Sequence, residues 1–390
     1  MTGPVVMTDR SPRVSVAMIT YNHEKFIGAA IASILGQTFE DFELIVVDDG
    51  STDNTAAAIH EFVDPRIRYI RQENQGPSEA RNTALREARG ALLAQMSGDD
   101  VAEPERLTRQ LLFQAERPNA VMFSHCVFID DGGARCEQPA LEPLFNRENW
   151  SAERTLRRLF LYGNCFLAPS ALAETRHFRA VGPYRPQLLQ LQDYDMWIRF
   201  LLAGYDTFVV PEPLLQYRIR SDRGNLHCAE GSSSRGFLER RLLLRQFLQI
   251  NHVERLARIF PRIRDLGYPL EDQLCPFLFA QWTLLPQFRG TDVQIFGADL
   301  LMTLMDDPDM RELLHRRAGF GNADFFRVCG ELQLGPGPLL MTIRHLETEI
   351  AQRDAELQQL QASASRRITA ALRGLQALLQ RLKALRRLGG

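Results

Sequence analysis

Carboxylate and hydroxyl side chains occur in three short clusters in the first hundred residues: Thr20-Tyr21-Asn22, Asp48-Asp49-Gly50-Ser51 and Ser97-Gly98-Asp99-Asp100. Carboxylates that lie close together repel one another unless a cation or hydrogen-bond donors compensate. Hard oxygen ligands suit Mg²⁺ or Mn²⁺, which commonly bridge one or two carboxylates to a substrate phosphate. Taken singly, each aspartate cluster is better explained as a turn or a helix N-cap, because Asp is favoured in both roles.

The elements around these clusters decide whether they meet. A short apolar run with β-branched residues predicts a strand at 14–19. Further strands are predicted near 42–47, 67–71 and 91–96, and the segments between the strands are predicted to be helices. This alternation with short connections predicts an α/β fold with a mostly parallel sheet flanked by helices. Ligands in such sheets bind at the carboxyl ends of the strands, where all three clusters lie. We therefore expect Asp48, Asp49, Asp99 and Asp100 to line one crevice.

Composition sets wider limits. The chain has 390 residues, 45% hydrophobic and 24% charged, which is typical of a globular protein of two or three domains. No apolar run reaches the roughly 18–20 residues that a membrane span needs, and the N-terminal residues lack the apolar core of a signal peptide. These features predict a cytoplasmic protein. The six cysteines form no C-x-x-C pair, so we expect free thiols.

Four segments carry recognisable motifs in order: Val14–Asn22, Glu43–Asp53, Asn74–Asn82 and Ser97–Asp100. Together they closely resemble the nucleotide-sugar half of family 2 glycosyltransferases with the Rossmann-like GT-A fold. The resemblance continues through Gln192–Trp197 and Glu212–Arg218, so it covers roughly residues 13 to 225. It implies a nucleotide-sugar donor, a divalent metal and a glycosyl acceptor.

The resemblance also implies roles for individual residues. Thr20, Tyr21 and Asn22 would form the pocket for the base and ribose, and Asp49 would hydrogen-bond the pyrimidine edge. Arg81 would approach the nucleotide, since a guanidinium group suits phosphate or base recognition. The alternative for Arg81 is an ordinary charge on a helix surface.

The same comparison implies a metal site. Asp99 matches the metal-binding aspartate of the family's D-x-D motif, and Asp100 is its neighbour, so we expect these two to hold Mn²⁺ or Mg²⁺. Ser97 departs from the motif, because many relatives have Asp at this position. A serine can hydrogen-bond a ribose hydroxyl but adds no negative charge.

Asp193 matches the family's catalytic base, which removes a proton from the acceptor hydroxyl as it attacks the anomeric carbon. Attack from the face opposite the diphosphate inverts the anomeric configuration. The alternative for Asp193 is an N-cap of the helix that contains Trp197.

Many relatives have His where this chain has Arg220. Either Arg220 or His227 can contact the diphosphate, and surface exposure is the alternative for both.

The second half of the chain carries less chemical information. A strand at Thr207–Val210 is predicted to end at Pro211 and Pro213, which closes a catalytic domain at 13–225. Residues 231–335 have a helical pattern without a chemical motif, and we interpret them as a helical domain.

The C-terminal segments predict interactions. Heptad spacing at 339–361 predicts a short coiled coil that can form a homo-oligomer. Residues 362–390 form a predicted basic amphipathic helix with seven basic and no acidic residues, suited to peripheral contact with the inner face of a membrane. Packing on its own protein or on a partner helix are alternatives. Nucleic acid is disfavoured as a partner, because the tail has no aromatic residue for base stacking.

The sequence therefore favours an inverting glycosyltransferase that moves a sugar from a UDP- or dTDP-sugar to a hydroxyl of a glycan or lipid-linked acceptor in polysaccharide or glycoconjugate biosynthesis. The main alternative is a non-catalytic GT-A-like binding or scaffold protein, which Ser97 and Arg220 favour. A nucleotidyltransferase is a third hypothesis. It predicts a glycine-rich basic loop near the first strand, which Thr20–Glu24 does not provide.

Overall fold

The computed structural model describes residues 11–138, 141–142, 145, 148–222 and 232–332. The chain divides into two compact units. The first contains residues 1–283 and 296–321, and the second contains residues 284–295 and 322–390. All the strands and the polar clusters belong to the first unit. His227, the predicted coiled coil at 339–361 and the predicted tail at 362–390 lie outside the described residues.

Strands and helices alternate through the first half of the chain. In order they are β1 (Val14–Thr20), α1 (Ile27–Leu35), β2 (Phe42–Asp48), α2 (Thr55–His60), β3 (Ile67–Arg71), α3 (Pro77–Glu87), β4 (Leu92–Ser97), β5 (Val101–Ala102), α4 (Arg106–Glu116), β6 (Ala120–Ile129), α5 (Ala152–Tyr162), β7 (Leu172–Glu174), α6 (Thr175–Val181), α7 (Gln192–Leu202) and β8 (Asp206–Arg218).

The strands form one eight-stranded sheet in the order β3-β2-β1-β4-β7-β6-β8-β5. The first four strands in this order run parallel, and so do β6 and β8. Strand β7 is antiparallel to both β4 and β6, and β5 is antiparallel to β8. The predicted α/β fold with a mostly parallel sheet is confirmed, and the antiparallel β7 joins its two parallel parts.

The central strands are buried because helices cover the sheet. All seven residues of β2 are buried, and Val14, Val16 and Met18 of β1 are fully inaccessible to solvent. Their partners in the core include Ile27 and Ile31 of α1. Continuous apolar runs of this kind are typical of parallel strands covered on both faces.

Strand β8 is longer than the sequence predicts. It continues through Pro211 and Pro213 to Arg218, so the predicted end at these prolines is wrong. The register between β6 and β8 shifts on either side of His125, and the extra residues, which include Pro211, lie in β8. A bulge leaves backbone N–H groups out of the ladder, so a residue that lacks this donor is tolerated there.

The described part of the chain after β8 is helical, as predicted. It contains α8 (Ser232–Leu244), α9 (Val253–Ile259), α10 (Cys275–Thr283), α11 (Asp292–Asp306), α12 (Pro308–Ala318) and α13 (Asn322–Glu331). Phe160 of α5 packs edge-on against Phe247 and Phe260 and also contacts Phe279. Residues of the segment 247–279 therefore share an aromatic core with α5.

Within the described ranges, every helix is too short or too polar to cross a lipid bilayer.

Candidate functional site

The ends of three neighbouring strands bring the predicted polar clusters together. Thr20 at the end of β1 pairs in register with Asp48 of β2, and Ile19 pairs with Ser97 of β4. Gly98 permits this close approach, because a Cβ atom there would lie 2.7 Å from the Thr20 hydroxyl oxygen. The strand ends border a cavity of about 620 Å³.

Most of the predicted site residues line this cavity. They are Thr20, Tyr21, Asp49, Arg81, Ser97, Asp99, Asp100, Asp193 and Arg220. Apolar residues also line the cavity, among them Phe145, Phe166, Leu189 and Leu191. One cavity therefore joins residues that are up to about 200 positions apart in sequence.

Two predicted residues do not line the cavity. Asp48 is fully buried and accepts hydrogen bonds from the Ser51 backbone N–H at 2.8 Å and the Tyr69 hydroxyl at 2.9 Å. The expectation that Asp48 lines the crevice is therefore wrong, because its side chain shapes the turn after β2. Asn22 has a positive φ of 53°, and its Oδ1 accepts the Thr52 N–H at 2.8 Å. It joins the turns after β1 and β2.

Asp49 combines a place on the cavity wall with a structural contact. Its Oδ1 accepts hydrogen bonds from Gln72 Nε2 at 2.7 Å and from the Gln75 N–H at 3.0 Å, and its Oδ2 accepts the Gly76 N–H at 2.8 Å. The segment before α3 is thereby held against the end of β2. Because a carboxylate oxygen can accept two hydrogen bonds, Oδ2 keeps capacity for a donor in the cavity.

Arg81 extends from α3 to the cavity and is held from one side. Its Nη1 donates to Gln95 Oε1, and its guanidinium carbon lies 5.7 Å from the centre of the Tyr184 ring. Its Nε is buried without a hydrogen-bond partner among the described residues. A partly buried guanidinium group with an unused donor beside a cavity is suited to an anionic ligand.

Asp99 and Asp100 are both buried at the cavity wall, with exposures of 7% and 2%. Ser97 donates its hydroxyl to Asp99 Oδ1. Asp100 Oδ1 accepts the Arg218 N–H at 2.8 Å, whereas Asp100 Oδ2 is buried without a hydrogen-bond partner in the described chain. Burial and the neighbouring Asp99 raise the pKa of Asp100 well above its ordinary value.

These two carboxylates fit a divalent cation that takes its remaining ligands from a substrate. No group of three or more His, Cys, Asp or Glu side chains in the described ranges forms a metal cage by itself. Mg²⁺ is commonly held by one or two carboxylates together with substrate phosphates, so a complete protein cage is not required. The unpartnered Asp100 Oδ2 is an available hard oxygen ligand.

Asp193 lies in the first turn of α7 and faces the cavity. Its Oδ1 accepts the Tyr194 N–H and its Oδ2 accepts Asn164 Nδ2, both at 2.8 Å. Burial raises the pKa of Asp193, and the positive charge of Arg81 partly opposes this shift. The N-cap alternative is wrong, because Leu191 occupies the N-cap position of α7.

Arg220 lines the cavity but also pairs with Asp222, to which its Nη2 donates at 2.7 Å. This pairing does not remove its charge from the cavity wall. The diphosphate contact of Arg220 stays a prediction.

Three cavity residues were not predicted to act in the site. His23 Nε2 lies 3.7 Å from Asp99 Oδ2, and burial lowers the pKa of His23. Tyr217 lines the wall, where burial and the nearby Asp100 raise its pKa well above the ordinary value. Both residues lie in or beside segments that carry the family resemblance. Asn164 had no comparable signal, since its role depends on a contact with Asp193 across 29 residues.

Comparison with known proteins identifies relatives of this chain. The family model described as Glycosyl transferase family 2 matches residues 15–176. An uncharacterized glycosyltransferase of Methanocaldococcus jannaschii is 33% identical over 214 residues, which are 53% of this chain and 71% of that protein. The putative teichuronic acid biosynthesis glycosyltransferase TuaG of Bacillus subtilis is 28% identical over 216 residues, covering 55% of this chain and 81% of that protein.

Among solved structures, S. aureus TarS 1-349 in complex with UDP-GlcNAc matches 81% of this chain and 89% of that chain. The sequence identity is 20% and the TM-score is 0.48. The family assignment depends on the sequence relatives. Since the match to the M. jannaschii protein extends over more than two thirds of that protein at 33% identity, the chain belongs to glycosyltransferase family 2.

Proposed function

We propose that the protein is an inverting glycosyltransferase that moves a sugar from a UDP- or dTDP-sugar to a hydroxyl group of the acceptor. The observation that carries this proposal is the cavity in which a buried carboxylate pair, Asp99 and Asp100, shares one space with Asp193 and Arg81. Asp99 and Asp100 supply negative charge for a cation, and Asp193 supplies a base. Arg81 supplies positive charge for a phosphate.

Asp193 is the proposed base. Its raised pKa favours proton uptake, which a group that deprotonates an acceptor hydroxyl needs. Asn164 and the Tyr194 N–H hold the two carboxylate oxygens, so the direction of the carboxylate is fixed. Deprotonation by Asp193 lets the acceptor oxygen attack the anomeric carbon as the bond to the diphosphate breaks, and attack from the opposite face inverts the configuration.

The donor is proposed to lie along the strand ends. Asp49 accepts a donor from the pyrimidine edge, Thr20 and Tyr21 contact the base and ribose, and Arg81 pairs with the diphosphate. Asp99 and Asp100 would hold Mg²⁺ or Mn²⁺, which when bound neutralises the charge that develops on the leaving diphosphate. Ser97 orients Asp99 through its hydroxyl.

The biological setting is proposed from the relatives and the sequence. The name of TuaG refers to teichuronic acid biosynthesis, which supports a role for this chain in surface polysaccharide synthesis with a glycan or lipid-linked acceptor. The basic segment 362–390 supports a cytoplasmic enzyme with peripheral contact to the inner face of the membrane. The heptads at 339–361 support self-association.

A panel of nucleotide sugars tests the proposal. We expect one UDP- or dTDP-sugar to be hydrolysed slowly or transferred in the presence of Mn²⁺, with loss of the reaction in EDTA, and GDP-sugars to serve as the control. NMR of the product assigns the anomeric configuration. Retention of configuration would contradict the inverting mechanism, and failure of every nucleotide to bind would favour the non-catalytic scaffold.

Removing the amide that holds Asp193 should change the pH dependence of the reaction. Because a hydrogen bond from Asn164 favours the ionised carboxylate, the Asn164→Ala variant should raise the pKa of Asp193 further. The acid limb of kcat/KM should move to higher pH, since activity is lost as pH falls through this pKa. We expect kcat/KM to fall by roughly 10–100-fold, because a hydrogen bond to a charged group contributes about 1.5–3 kcal/mol.

Asn149→Ala is the matched control. Asn149 also uses both ends of its amide, which bond the backbone of Val209 at 2.7 Å and 3.1 Å, but it is not on the cavity wall. Its variant should keep the wild-type pH profile. An unshifted profile in Asn164→Ala would show that Asp193 does not control the acid limb.

A further inference from the structure

The backbone immediately before Asp193 forms part of the cavity wall. Leu189, Gln190 and Leu191 precede α7, and all three line the cavity together with Gln192 and Asp193. We refer to residues 188–191 as the base loop. Its first residue is tied to α3, because Ser78 donates its hydroxyl to the Leu188 carbonyl at 2.6 Å.

The side chain of Glu239 holds the rest of the base loop. Its Oε1 accepts the Leu189 N–H at 3.0 Å, and its Oε2 accepts the Gln190 N–H at 3.0 Å and the Leu191 N–H at 2.7 Å. Glu239 lies in α8, about 50 residues further along the chain, and is 7% exposed. One carboxylate thus binds three consecutive backbone N–H groups.

These contacts are strong for two reasons. Hydrogen bonds to an ionised carboxylate are roughly twice as strong as those between neutral groups. The carboxylate also lies where α7 begins, and the N-terminal end of a helix favours negative charge. Leu191, the N-cap residue of α7, makes no side-chain cap hydrogen bond, so Glu239 binds N–H groups that the local sequence does not satisfy.

The same helical segment contacts α7 on the other side of Asp193. Arg240 Nη1 lies 3.1 Å from the Tyr194 hydroxyl, and Gln246 Nε2 donates to Asp195 Oδ1 at 2.9 Å. Contacts from residues 239–246 therefore flank Asp193 in sequence. The segment also lies beyond residues 15–176, which the family model matches.

We propose that Glu239 is a positioning residue for glycosyl transfer, which holds the base loop so that Asp193 and the cavity wall keep the geometry the reaction needs. The proposal rests on the proposed function of Asp193 as the base. Misplacement of a reacting group by about 1 Å can reduce a rate by on the order of 100-fold. We therefore expect a loss of this size in kcat when Glu239 is removed.

The experiment compares full-length Glu239→Ala and Glu239→Gln with wild type. In Glu239→Ala, hydrogen exchange of the Leu189, Gln190 and Leu191 amides should accelerate by on the order of tenfold or more. The kcat should fall by on the order of 100-fold, while UDP affinity stays within about twofold, because Asp49 and Arg81 make no hydrogen bond to Glu239. Glu239→Gln should recover part of both losses, since its amide oxygen still accepts.

Glu254→Gln is the matched control, because Glu254 forms an exposed ion pair with Arg264 in the same helical region. It should leave amide exchange in the base loop and kcat unchanged. If Glu239→Ala keeps kcat within about twofold of wild type at a temperature where it is folded, the positioning role is overturned. Unchanged hydrogen exchange of the three amides would show that Glu239 does not hold the base loop.

The amide measurement also separates this proposal from the proposed function. One outcome is that wild type turns over no donor while its three amides are protected and exchange faster in Glu239→Ala. In that case Glu239 does hold the base loop, and the proposed function fails. The positioning role in glycosyl transfer is then overturned with it.

Discussion

Replacement of Asp193 by asparagine is expected to lower the rate of glycosyl transfer by roughly 10²–10⁴-fold, the usual contribution of a general base. Asparagine cannot take up the acceptor proton. Its oxygen can still accept the Tyr194 N–H, so the start of α7 should keep its conformation. Nucleotide binding should be retained, because Asp49 and Arg81 are unchanged. Transfer kinetics and UDP titration measure the two effects.

Asp193→Asn should lower the reaction rate without lowering the stability of the fold. Because burial raises the pKa of Asp193, the ionised carboxylate destabilises the folded protein at neutral pH, and Asp193→Asn should not lower Tm. Asp195→Asn is the matched control two residues away. Asp195 is fully buried and pairs with Arg199 at 2.8 Å, so its loss should cost roughly 3 kcal/mol of unfolding free energy with kcat retained. Wild-type turnover by Asp193→Asn would exclude Asp193 as the base.

Replacement of Asp100 by asparagine is expected to remove most of the metal-dependent rate, by roughly 10²–10³-fold, because a bound cation contributes several kcal/mol to the stabilisation of developing charge. The asparagine oxygen can still accept the Arg218 N–H, so β8 should remain in register. The residual activity should no longer respond to EDTA. Calorimetric titration with Mn²⁺ in the presence of UDP should show weaker Mn²⁺ binding than in wild type.

Asp53→Asn is the control for this experiment. Asp53 accepts the Glu24 N–H at 3.1 Å in a turn near the same strand ends, but it is not on the cavity wall. It should keep the metal response of wild type. If Asp100→Asn keeps full sensitivity to EDTA, the cation binds elsewhere in the protein.

The local residue pattern was sufficient to predict most of the strands and helices in the first half of the chain. The strands predicted near 42–47 and 67–71 agree within one residue with β2 and β3 as the structure shows them. A buried strand and its periodicity depend on neighbouring residues, so they can be recognised without knowing the tertiary structure. Strand β8 differs, because the tolerance for Pro211 and Pro213 depends on a bulge in its pairing with β6.

Some features of the site also follow from the sequence, whereas others depend on the tertiary structure. The sequence determined the family, and most of the site residues predicted from it lie on the cavity wall, since ordered motifs at strand ends converge wherever the strands run parallel. Tertiary structure decided which aspartates face the cavity, because the Tyr69 and Ser51 contacts turn Asp48 inward. It also decided what holds Asp193. Asn164 and Glu239 act across 29 to 50 residues, and contacts at such separations leave no periodicity in the sequence.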